Sequence, residues 1–332
     1  MALHANSPTG MPHPLAEAGL LPHADLPYDD ELARKLAFVA KAFARRGLTG
    51  NVEPVVASPR RFGARARAKF RGGAAGELGF YRPGTHEFVS PSIEDLVRPE
   101  IVRAAGLLGP ARGEIELRSD GARVVAEAEH DIGGIDDLAV AGRVVRGNPA
   151  LVIDGQRVSP GAFSQVNLEV NRLLVQAVDA QLERLEPQAL LDLYGGIGNL
   201  CLRAARRGVP TTLVESSRVA LADAAFNLAG TVAKVVGADA GRIKPGQYIF
   251  DVVVMDPPRA GAQGVLTMLA VTRPRAIVYV SCDPVTLARD VDSIRSGYDI
   301  VTITPFDMFP GADHVETLCV LERRKSAGTK RR

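Results

Sequence analysis

The residues best suited to do chemistry follow the ends of short apolar segments in the second half of this 332-residue chain. A glycine-rich turn from Gly195 to Gly198 joins the segment ALLDLY to a helical one, so backbone N–H groups there can approach a ligand closely. The glycine spacing differs from the G-x-G-x-x-G pattern that places a dinucleotide pyrophosphate on a helix N-terminus. The turn, which includes Gly196, therefore predicts a nucleotide-like ligand without that pyrophosphate.

Two acidic residues follow the next apolar segments along the chain. Glu215 ends TTLVE, where the second strand of such folds places a carboxylate on ribose hydroxyls. Asp239 follows KVVGA, and from there its carboxylate could reach an adenine amino group. The alternative interpretation is that the glycines only make a strand–helix turn and that both carboxylates are solvated. Ligand sites concentrate at strand ends in open sheets, which favours binding.

Of the three cysteines, Cys282 has the position that favours reactivity. It follows the apolar segment AIVYVS and precedes Pro284, which places it at the carboxyl rim of a parallel sheet. Cys201 and Cys319 lie among apolar neighbours, as small buried residues do. Because no C-x-x-C pair is present, we expect no disulfide framework, metal site or iron–sulfur cluster, and a reducing, cytoplasmic location.

The elements that position these residues form two regions with different hydrophobic patterns. After Pro160, apolar segments alternate with helical ones, which predicts a parallel sheet with helices on both faces. The strand candidates are ALLDLY, TTLVE, DVVVMD and AIVYVS, followed by DIVTITPFDMF and HVETLCVLERR as an antiparallel edge pair. Upstream, short alternating segments after the amphipathic helix ELARKLAFVAKAFARRG predict a compact α+β domain.

These patterns give a domain division. We expect a mobile leader at residues 1–25, a small α+β domain at 26–160, the sheet domain at 161–323 and a disordered basic tail at 324–332. No segment approaches the roughly 18 uninterrupted apolar residues of a membrane helix, so we expect neither membrane spanning nor secretion.

Several segments resemble one known family. LLDLYGGIGN with the downstream Glu215 resembles the S-adenosylmethionine site of Class I methyltransferases. VVVMDPPRAG, YVSCDPVTLARD and FDMFPGADHVET together resemble the RNA 5-methyluridine methyltransferases, which modify tRNA or rRNA. AFSQVN resembles the segment that precedes the methyltransferase domain of those enzymes. The resemblance implies a Class I, Rossmann-like, seven-stranded and mostly parallel sheet behind a smaller α+β domain, with S-adenosylmethionine as cofactor and no metal.

The same resemblance assigns roles to residues. Those it places in contact with S-adenosylmethionine, or in support of its pocket, are Gln165, Tyr194, Asn199, Glu215 and Asp256. It identifies Cys282 as the nucleophile and Glu316 as the base that removes the C5 proton. Covalent addition of a thiolate at C6 fits the chemistry, because uracil C5 alone is too weak a nucleophile.

Two residues near the nucleophile leave questions open. Asp283 stands where the family usually has Asn, and a carboxylate beside the thiol opposes thiolate formation unless it is paired. Arg259 in DPPRAG is either a cation that faces an enolate or an RNA phosphate, or the structural ion-pair partner of an acid such as Asp256.

A basic segment supplies the candidate RNA contact. In SPRRFGARARAKFR, strand alternation sends Arg65, Arg67 and Lys69 to one face, and the segment contains no acid to balance them. The net charge of only +2 means that RNA binding has to rest on such a local patch. We expect an RNA partner, a target uridine that is unpaired or flipped out, and a monomeric enzyme.

Two other functions remain open at this point. Amino-group methyltransferases also use a D-P-P motif here, but an aromatic residue normally follows it, and they need no cysteine. An RNA-binding protein with an idle pocket is the non-enzymatic alternative. The combination of Cys282, Glu316 and the glycine turn disfavours both.

Overall fold

A computed structural model describes residues 11–325, which form two compact units. The N-terminal unit comprises residues 11–34, 57–172 and 307–314. The C-terminal unit comprises residues 35–56, 173–306 and 315–325. Both units are therefore discontinuous in sequence, which a division into successive domains does not anticipate.

The boundary predicted between residues 160 and 161 is wrong, because segment 161–167 is bonded into the N-terminal unit. Arg67 donates to the Ser164 carbonyl oxygen at 3.2 Å, and Arg118 donates to the Ala162 carbonyl oxygen at 3.1 Å. Asn167 Nδ2 donates to Ser58 Oγ at 2.9 Å. Composition changes at Pro160, but these hydrogen bonds carry the unit on to residue 172.

A seven-stranded sheet forms the framework of the N-terminal unit. The chain elements up to residue 158 are α1 (Pro14–Glu17), α2 (Tyr28–Ala44), β1 (Arg67–Gly72), β2 (Leu78–Tyr81), β3 (Phe88–Val89), α3 (Pro99–Leu107), β4 (Glu114–Ser119), β5 (Val124–Ala128), β6 (Leu138–Val140), β7 (Arg143–Arg146), β8 (Leu151–Ile153) and β9 (Gln156–Val158). Of these, α2 belongs to the C-terminal unit from Lys35 onward. The sheet order is β3-β2-β1-β4-β5-β6-β7, in which only β5 and β6 pair in parallel. Strands β8 and β9 form a separate hairpin.

The predicted mobile leader is corrected for residues 13–25, which are ordered within this unit. Leu15 in α1 and Leu21 after it are 1% and 2% exposed. His23 Nε2 lies 2.6 Å from Asp313 Oδ1, and its backbone N–H donates to the Gly311 carbonyl oxygen at 3.0 Å. Apolar burial therefore orders a segment that has no helical or strand periodicity. Residues 1–10 and the tail from 326 onward lie outside the described residues.

The C-terminal unit contains the alternating strands and helices. In chain order the elements are α4 (Leu168–Leu185), β10 (Leu190–Leu193), α5 (Leu202–Arg206), β11 (Thr211–Glu215), α6 (Arg218–Asn227), β12 (Lys234–Gly237), a 3₁₀ turn (Ala240–Arg242), β13 (Val252–Met255), α7 (Gln263–Thr272), β14 (Ala276–Ser281), α8 (Pro284–Ile294), β15 (Tyr298–Phe306) and β16 (Glu316–Arg323). Of these, α4 belongs to the C-terminal unit from Leu173 onward.

The sheet of the C-terminal unit confirms the predicted Class I methyltransferase fold. Its order is β12-β11-β10-β13-β14-β16-β15, with the first five strands parallel and β16 antiparallel to both neighbours. Every residue of β10, β13 and β14 is buried, as expected for parallel strands covered on both faces. Chain order reverses direction between β10 and β13, and such switch points open the crevice where α/β sheets bind ligands.

Among residues 11–325, no helix combines the length and the apolar character that crossing a bilayer would require.

Candidate active site

Four loops meet at the carboxyl edge of the C-terminal sheet. The glycine turn follows β10, Glu215 ends β11, Asp256 follows β13 and Cys282 follows β14. Because these strands are parallel and adjacent, the carboxyl ends share one edge. The structure therefore gathers most of the residues that the sequence singles out.

The glycine turn has the close backbone approach that its composition predicts. Gly196 and Gly198 have φ of 55° and 94°, a left-handed conformation in which side chains are strained. A Cβ at position 195 would lie 2.5 Å from Leu213 Cγ on the neighbouring strand. Asn227 of α6 donates from Nδ2 to the Ile197 carbonyl oxygen at 3.0 Å and so anchors the turn to that helix.

Glu215 holds this turn through its carboxylate. One oxygen accepts the Gly196 N–H at 3.0 Å, and the other accepts the Ser216 and Ser217 N–H groups, each at 2.7 Å. Glu215 therefore organises the turn as well as standing where a ribose carboxylate was predicted. Asp192, one strand away, is buried and interacts with the Cys201 thiol, and no group among residues 11–325 hydrogen-bonds to its Oδ2 atom. Burial raises the pKa of Asp192 to about 7.

Tyr194 and Asp239 lie near one another at the same edge. Burial, together with the charges of Asp239 and Asp290, raises the pKa of Tyr194. Asp239 caps the 3₁₀ turn by accepting the Gly241 N–H at 2.9 Å, and it pairs with Arg242 at 3.4 Å. Asn199 is half-buried at the end of the glycine turn. Tyr194, Asn199 and Asp239 are thus positioned beside the turn, and their roles toward a cofactor remain predictions.

Strand register brings Cys282 and Glu316 together. Ser281 of β14 pairs with Thr317 of β16, so the next residues outward along the two strands are Cys282 and Glu316. Glu316 is 2% exposed, which rules out the ordinary surface glutamate that its residue type suggests. Among the described residues, no group hydrogen-bonds to its Oε1 atom.

Charges from the DPPR loop complete this cluster. Burial and the charges of Glu316 and Asp256 raise the pKa of the Cys282 thiol, whereas the charge of Arg259 and its hydrogen bond to the thiol lower that pKa. Burial and Asp256 also raise the pKa of Glu316 well above its ordinary value, and Arg259 again opposes the shift. Arg259 thus interacts with both the Cys282 thiol and the Glu316 carboxyl group, and its role as a cation toward reacting groups or as an ion-pair partner stays a prediction.

Asp283 is engaged away from this chemistry. Its carboxylate accepts the Thr286 N–H at 2.8 Å and so caps the N-terminus of α8. The departure from the family's asparagine therefore preserves a side chain that can start the helix. The effect of the Asp283 carboxylate on thiolate formation stays a prediction.

The basic segment has a different setting from the one predicted. Lys69 pairs with Glu114 at 2.8 Å and Arg67 pairs with Glu116 at 3.0 Å, both across the β1–β4 ladder. The expectation that no acid balances this strand is wrong, because the neighbouring strand β4 supplies Glu114 and Glu116. Burial lowers the pKa of Arg65 to about 10. Whether these three residues bind RNA stays a prediction.

Gln165 lies in the N-terminal unit, half-buried in the segment before α4. Its predicted cofactor contact stays a prediction. All three cysteines are free. Among the residues that the structure describes, no group of three or more His, Cys, Asp or Glu side chains could hold a metal ion.

Sequence reasoning missed three supporting residues: Asp192, Asn227 and Asp290. Each is a polar residue within an apolar or helical segment, and each is buried. A buried polar residue needs a hydrogen-bond partner. An isolated acid in the apolar segment LLDLY or in the helical segment TLARDV could therefore have indicated a residue that supports the site.

Comparison with known proteins agrees with this geometry. The sequence model of the tRNA (Uracil-5-)-methyltransferase family matches residues 239–324. The 23S rRNA (uracil(1939)-C(5))-methyltransferase RlmD of Chromohalobacter salexigens is 31% identical over 93% of this chain and 74% of its own length. RlmD of Alkalilimnicola ehrlichii is 41% identical over 49% of this chain, and the chain spans 39% of that enzyme.

One solved structure is similar over nearly the whole chain. It is the tRNA (uracil-54, C5)-methyltransferase of Pyrococcus abyssi in complex with S-adenosyl-L-homocysteine, with a TM-score of 0.73 and 26% identity. The match covers 94% of this chain and 87% of that one. The Chromohalobacter enzyme is 31% identical over 93% of this chain, and the alignment covers 74% of that enzyme. The chain therefore belongs to the RNA uracil-C5 methyltransferase family.

Proposed function

We propose that the protein transfers a methyl group from S-adenosylmethionine to C5 of a uridine in RNA, through a covalent bond between Cys282 and C6. The observation that carries this proposal is the meeting of Cys282, Arg259 and Glu316 at one sheet edge, next to the glycine turn. A thiol, a cation and a buried carboxyl group are the three parts that such a reaction requires.

The reaction balances with these residues. The Cys282 thiolate forms an Sγ–C6 bond, and the C5=C6 electron pair moves toward O4 to give an enolate. When bound, the cofactor supplies an electrophilic methyl group; C5 takes it as the methyl–sulfur bond breaks, and the electron pair of that bond stays on sulfur to give a neutral thioether. The Glu316 carboxylate then removes the proton from C5, the C5=C6 bond re-forms, and the C6–Sγ bond breaks to return the thiolate.

The electrostatics of the cluster suit this order of events. Burial and Asp256 raise the pKa of Glu316, so less negative charge opposes thiolate formation, while Arg259 supplies a positive charge. Because the thiolate charge passes into the ring when the Sγ–C6 bond forms, less repulsion then opposes the carboxylate form of Glu316 that acts as the base. Arg259 can then stabilise charge that develops on the ring.

The residues beside the turn fit S-adenosylmethionine, which is cationic. The carboxyl groups of Asp192, Glu215 and Asp256 at this edge suit a sulfonium ligand, because its positive charge would favour their ionised forms. We assign cofactor contact to the turn at Gly196 with Tyr194, Asn199, Glu215, Asp239 and Asp256. Cofactor contact by Gln165 and methylation of base amino groups are separate predictions.

The substrate class follows from the relatives. RlmD enzymes are named for 23S rRNA and the Pyrococcus abyssi enzyme for tRNA, so RNA is the substrate that we propose here. The test is incubation of the purified protein with S-adenosylmethionine and total RNA, followed by mass-spectrometric mapping. New 5-methyluridine supports the proposal, whereas methylation only at base amino groups would favour the amino-group alternative.

Glu215→Ala should weaken S-adenosylmethionine binding. The carboxylate holds the turn through three backbone N–H groups and is placed to meet the ribose, and a charged hydrogen bond contributes about 1.5–3 kcal/mol. That loss corresponds to roughly a 10- to 150-fold higher Kd by calorimetry. Glu183→Ala, which removes a 3.3 Å surface pair with Arg207, serves as the control and should leave the Kd unchanged. An unchanged Kd in Glu215→Ala would remove Glu215 from the site.

Replacing Arg65, Arg67 and Lys69 together with alanine should weaken RNA binding and flatten its salt dependence. Each lost phosphate contact on a single strand lowers the slope of log affinity against log salt by about 0.7. Cofactor affinity should stay the same. Arg143→Ala, on the exposed strand β7, is the matched control. Equal slopes for the triple variant and wild type would make the pairs with Glu114 and Glu116 the only role of this strand.

A further inference from the structure

The loop that carries Arg259 is bonded to the helix that follows Cys282. This loop, residues 256–262, leads from β13 to α7, whereas α8 begins at Pro284, two residues after Cys282. Asp290 lies in α8 with its side chain 1% exposed. A buried carboxylate in a helix of this kind needs several donors, and here it has them.

Asp290 and Arg289 together bind two of the last three residues of the loop, Ala260 and Ala262. Asp290 Oδ2 accepts the Ala262 N–H at 2.8 Å and the Tyr279 hydroxyl at 2.7 Å. Its Oδ1 accepts from Arg289 Nε at 3.0 Å, and Arg289 Nη2 donates to the Ala260 carbonyl oxygen at 2.9 Å. Asp290 and Arg289 on α8 thus form hydrogen bonds with the loop backbone on both sides of Gly261.

Gly261 shows how closely the loop lies on these side chains. Its φ is +87°, and a Cβ there would lie 2.5 Å from Arg289 Nη2 and 2.5 Å from Asp290 Oδ2. Its N–H donates to the Pro258 carbonyl oxygen at 2.8 Å, which closes a tight turn around Arg259. Any side chain at position 261 would therefore have to separate the loop from α8.

We propose that Asp290, with Arg289, is a positioning residue that keeps the Arg259 guanidinium against the Cys282 thiol. Arg259 is exposed and has a long side chain, so its position depends on the backbone that carries it. Pro257 and Pro258 restrict that backbone before Arg259, and the bonds to α8 fix it afterwards. The importance of this arrangement for turnover rests on the proposed function, whereas the arrangement itself does not.

The charged groups that face the thiol come from two elements. Asp256 and Arg259 belong to the loop, and Glu316 belongs to β16. If the loop loosens, the favourable charge of Arg259 is lost while Glu316 remains fixed in its strand. The Cys282 thiol should then ionise at higher pH.

Thiol alkylation measures this directly, without RNA or cofactor. The rate of iodoacetamide labelling at Cys282 is followed by peptide mass spectrometry across pH in wild type, Asp290→Asn, Arg289→Met and Arg259→Met. The first two variants should shift the profile to higher pH and label about three- to tenfold more slowly at neutral pH, as Arg259→Met does. Asp290→Asn should add nothing in an Arg259→Met background, because both changes remove the same interaction.

The control is Asp292→Asn on the same helix, where Asp292 pairs with Arg295 at 3.2 Å; its profile should match wild type. A wild-type profile in folded Asp290→Asn and Arg289→Met, or a further loss in the double variant, would overturn the proposal. If Asp290→Asn does not fold, Arg289→Met decides, since the Arg289 side chain is 41% exposed. A shift in a protein that methylates no uridine would contradict the proposed function and leave the positioning role intact.

Discussion

Replacing Cys282 with alanine is expected to abolish uridine methylation and the covalent RNA adduct together. Without the thiolate, C5 is never made electron-rich, so the loss should be on the order of 10⁴-fold or more. Cofactor binding should persist, because the glycine turn and Glu215 follow other strands. Methyl incorporation from labelled S-adenosylmethionine and denaturing gels of RNA that contains 5-fluorouridine measure the two losses.

A substitution at Cys319 provides the control for Cys282→Ala. Cys319→Ala removes a fully buried thiol from β16, and this variant should still methylate and still form the adduct. In the wild type, adduct formation should become faster as pH rises, because burial and the charges of Glu316 and Asp256 raise the pKa of the thiol. Turnover by Cys282→Ala would contradict the covalent mechanism and place amino-group methylation first.

Glu316→Gln is expected to accumulate RNA that is both methylated and attached to the protein. Glutamine keeps the size of the side chain but cannot accept the C5 proton, and the buried position limits replacement by water. Methyl transfer should therefore take place once, with resolution of the adduct slowed by about 10²–10⁴-fold. A single-turnover experiment with labelled cofactor should show the label co-migrating with protein in denaturing gels.

Glu322→Gln on the same strand is the matched control for Glu316→Gln. Its side chain is 39% exposed and pairs with Arg184 at 2.7 Å, so normal turnover and no trapped adduct are expected. Normal turnover by Glu316→Gln would show that the C5 proton leaves by another route. Failure to form any adduct in that variant, despite intact cofactor binding, would instead assign Glu316 to the addition step.

Much of the C-terminal unit could be predicted from sequence because its signals are local. Four buried parallel strands match apolar segments, and their ends locate Glu215, Asp256 and Cys282. The short edge strand β12 was not among the strand candidates, because Lys234 and Gly237 are exposed and only the two valines between them suggest a strand. Burial of Glu316 depends on pairing with β14 and on nearby charges, which no local pattern contains.

The N-terminal unit shows where local patterns are insufficient. Alternation along β1 correctly predicts that Ala68 and Phe70 are buried and that Lys69 is exposed. The partners of the basic residues come from β4, more than forty residues away, so the sequence of β1 cannot reveal that its charges are balanced. The same holds for Leu15 and Leu21, whose burial depends on a core assembled from distant strands.

The position of β16 between β14 and β15 ties the completion of the fold to the arrival of Glu316. Strand β16 reaches β14 only after the chain has passed through α8 and β15, so the pairing of β16 with β14 is non-local. Such pairing forms slowly, because a loop must close before contacts compensate for its entropy. Heat or protease that frees β16 would therefore remove Glu316, the base that we propose, and expose sheet edges at the same moment. Loss of activity and a tendency to aggregate would then have a common origin in one strand.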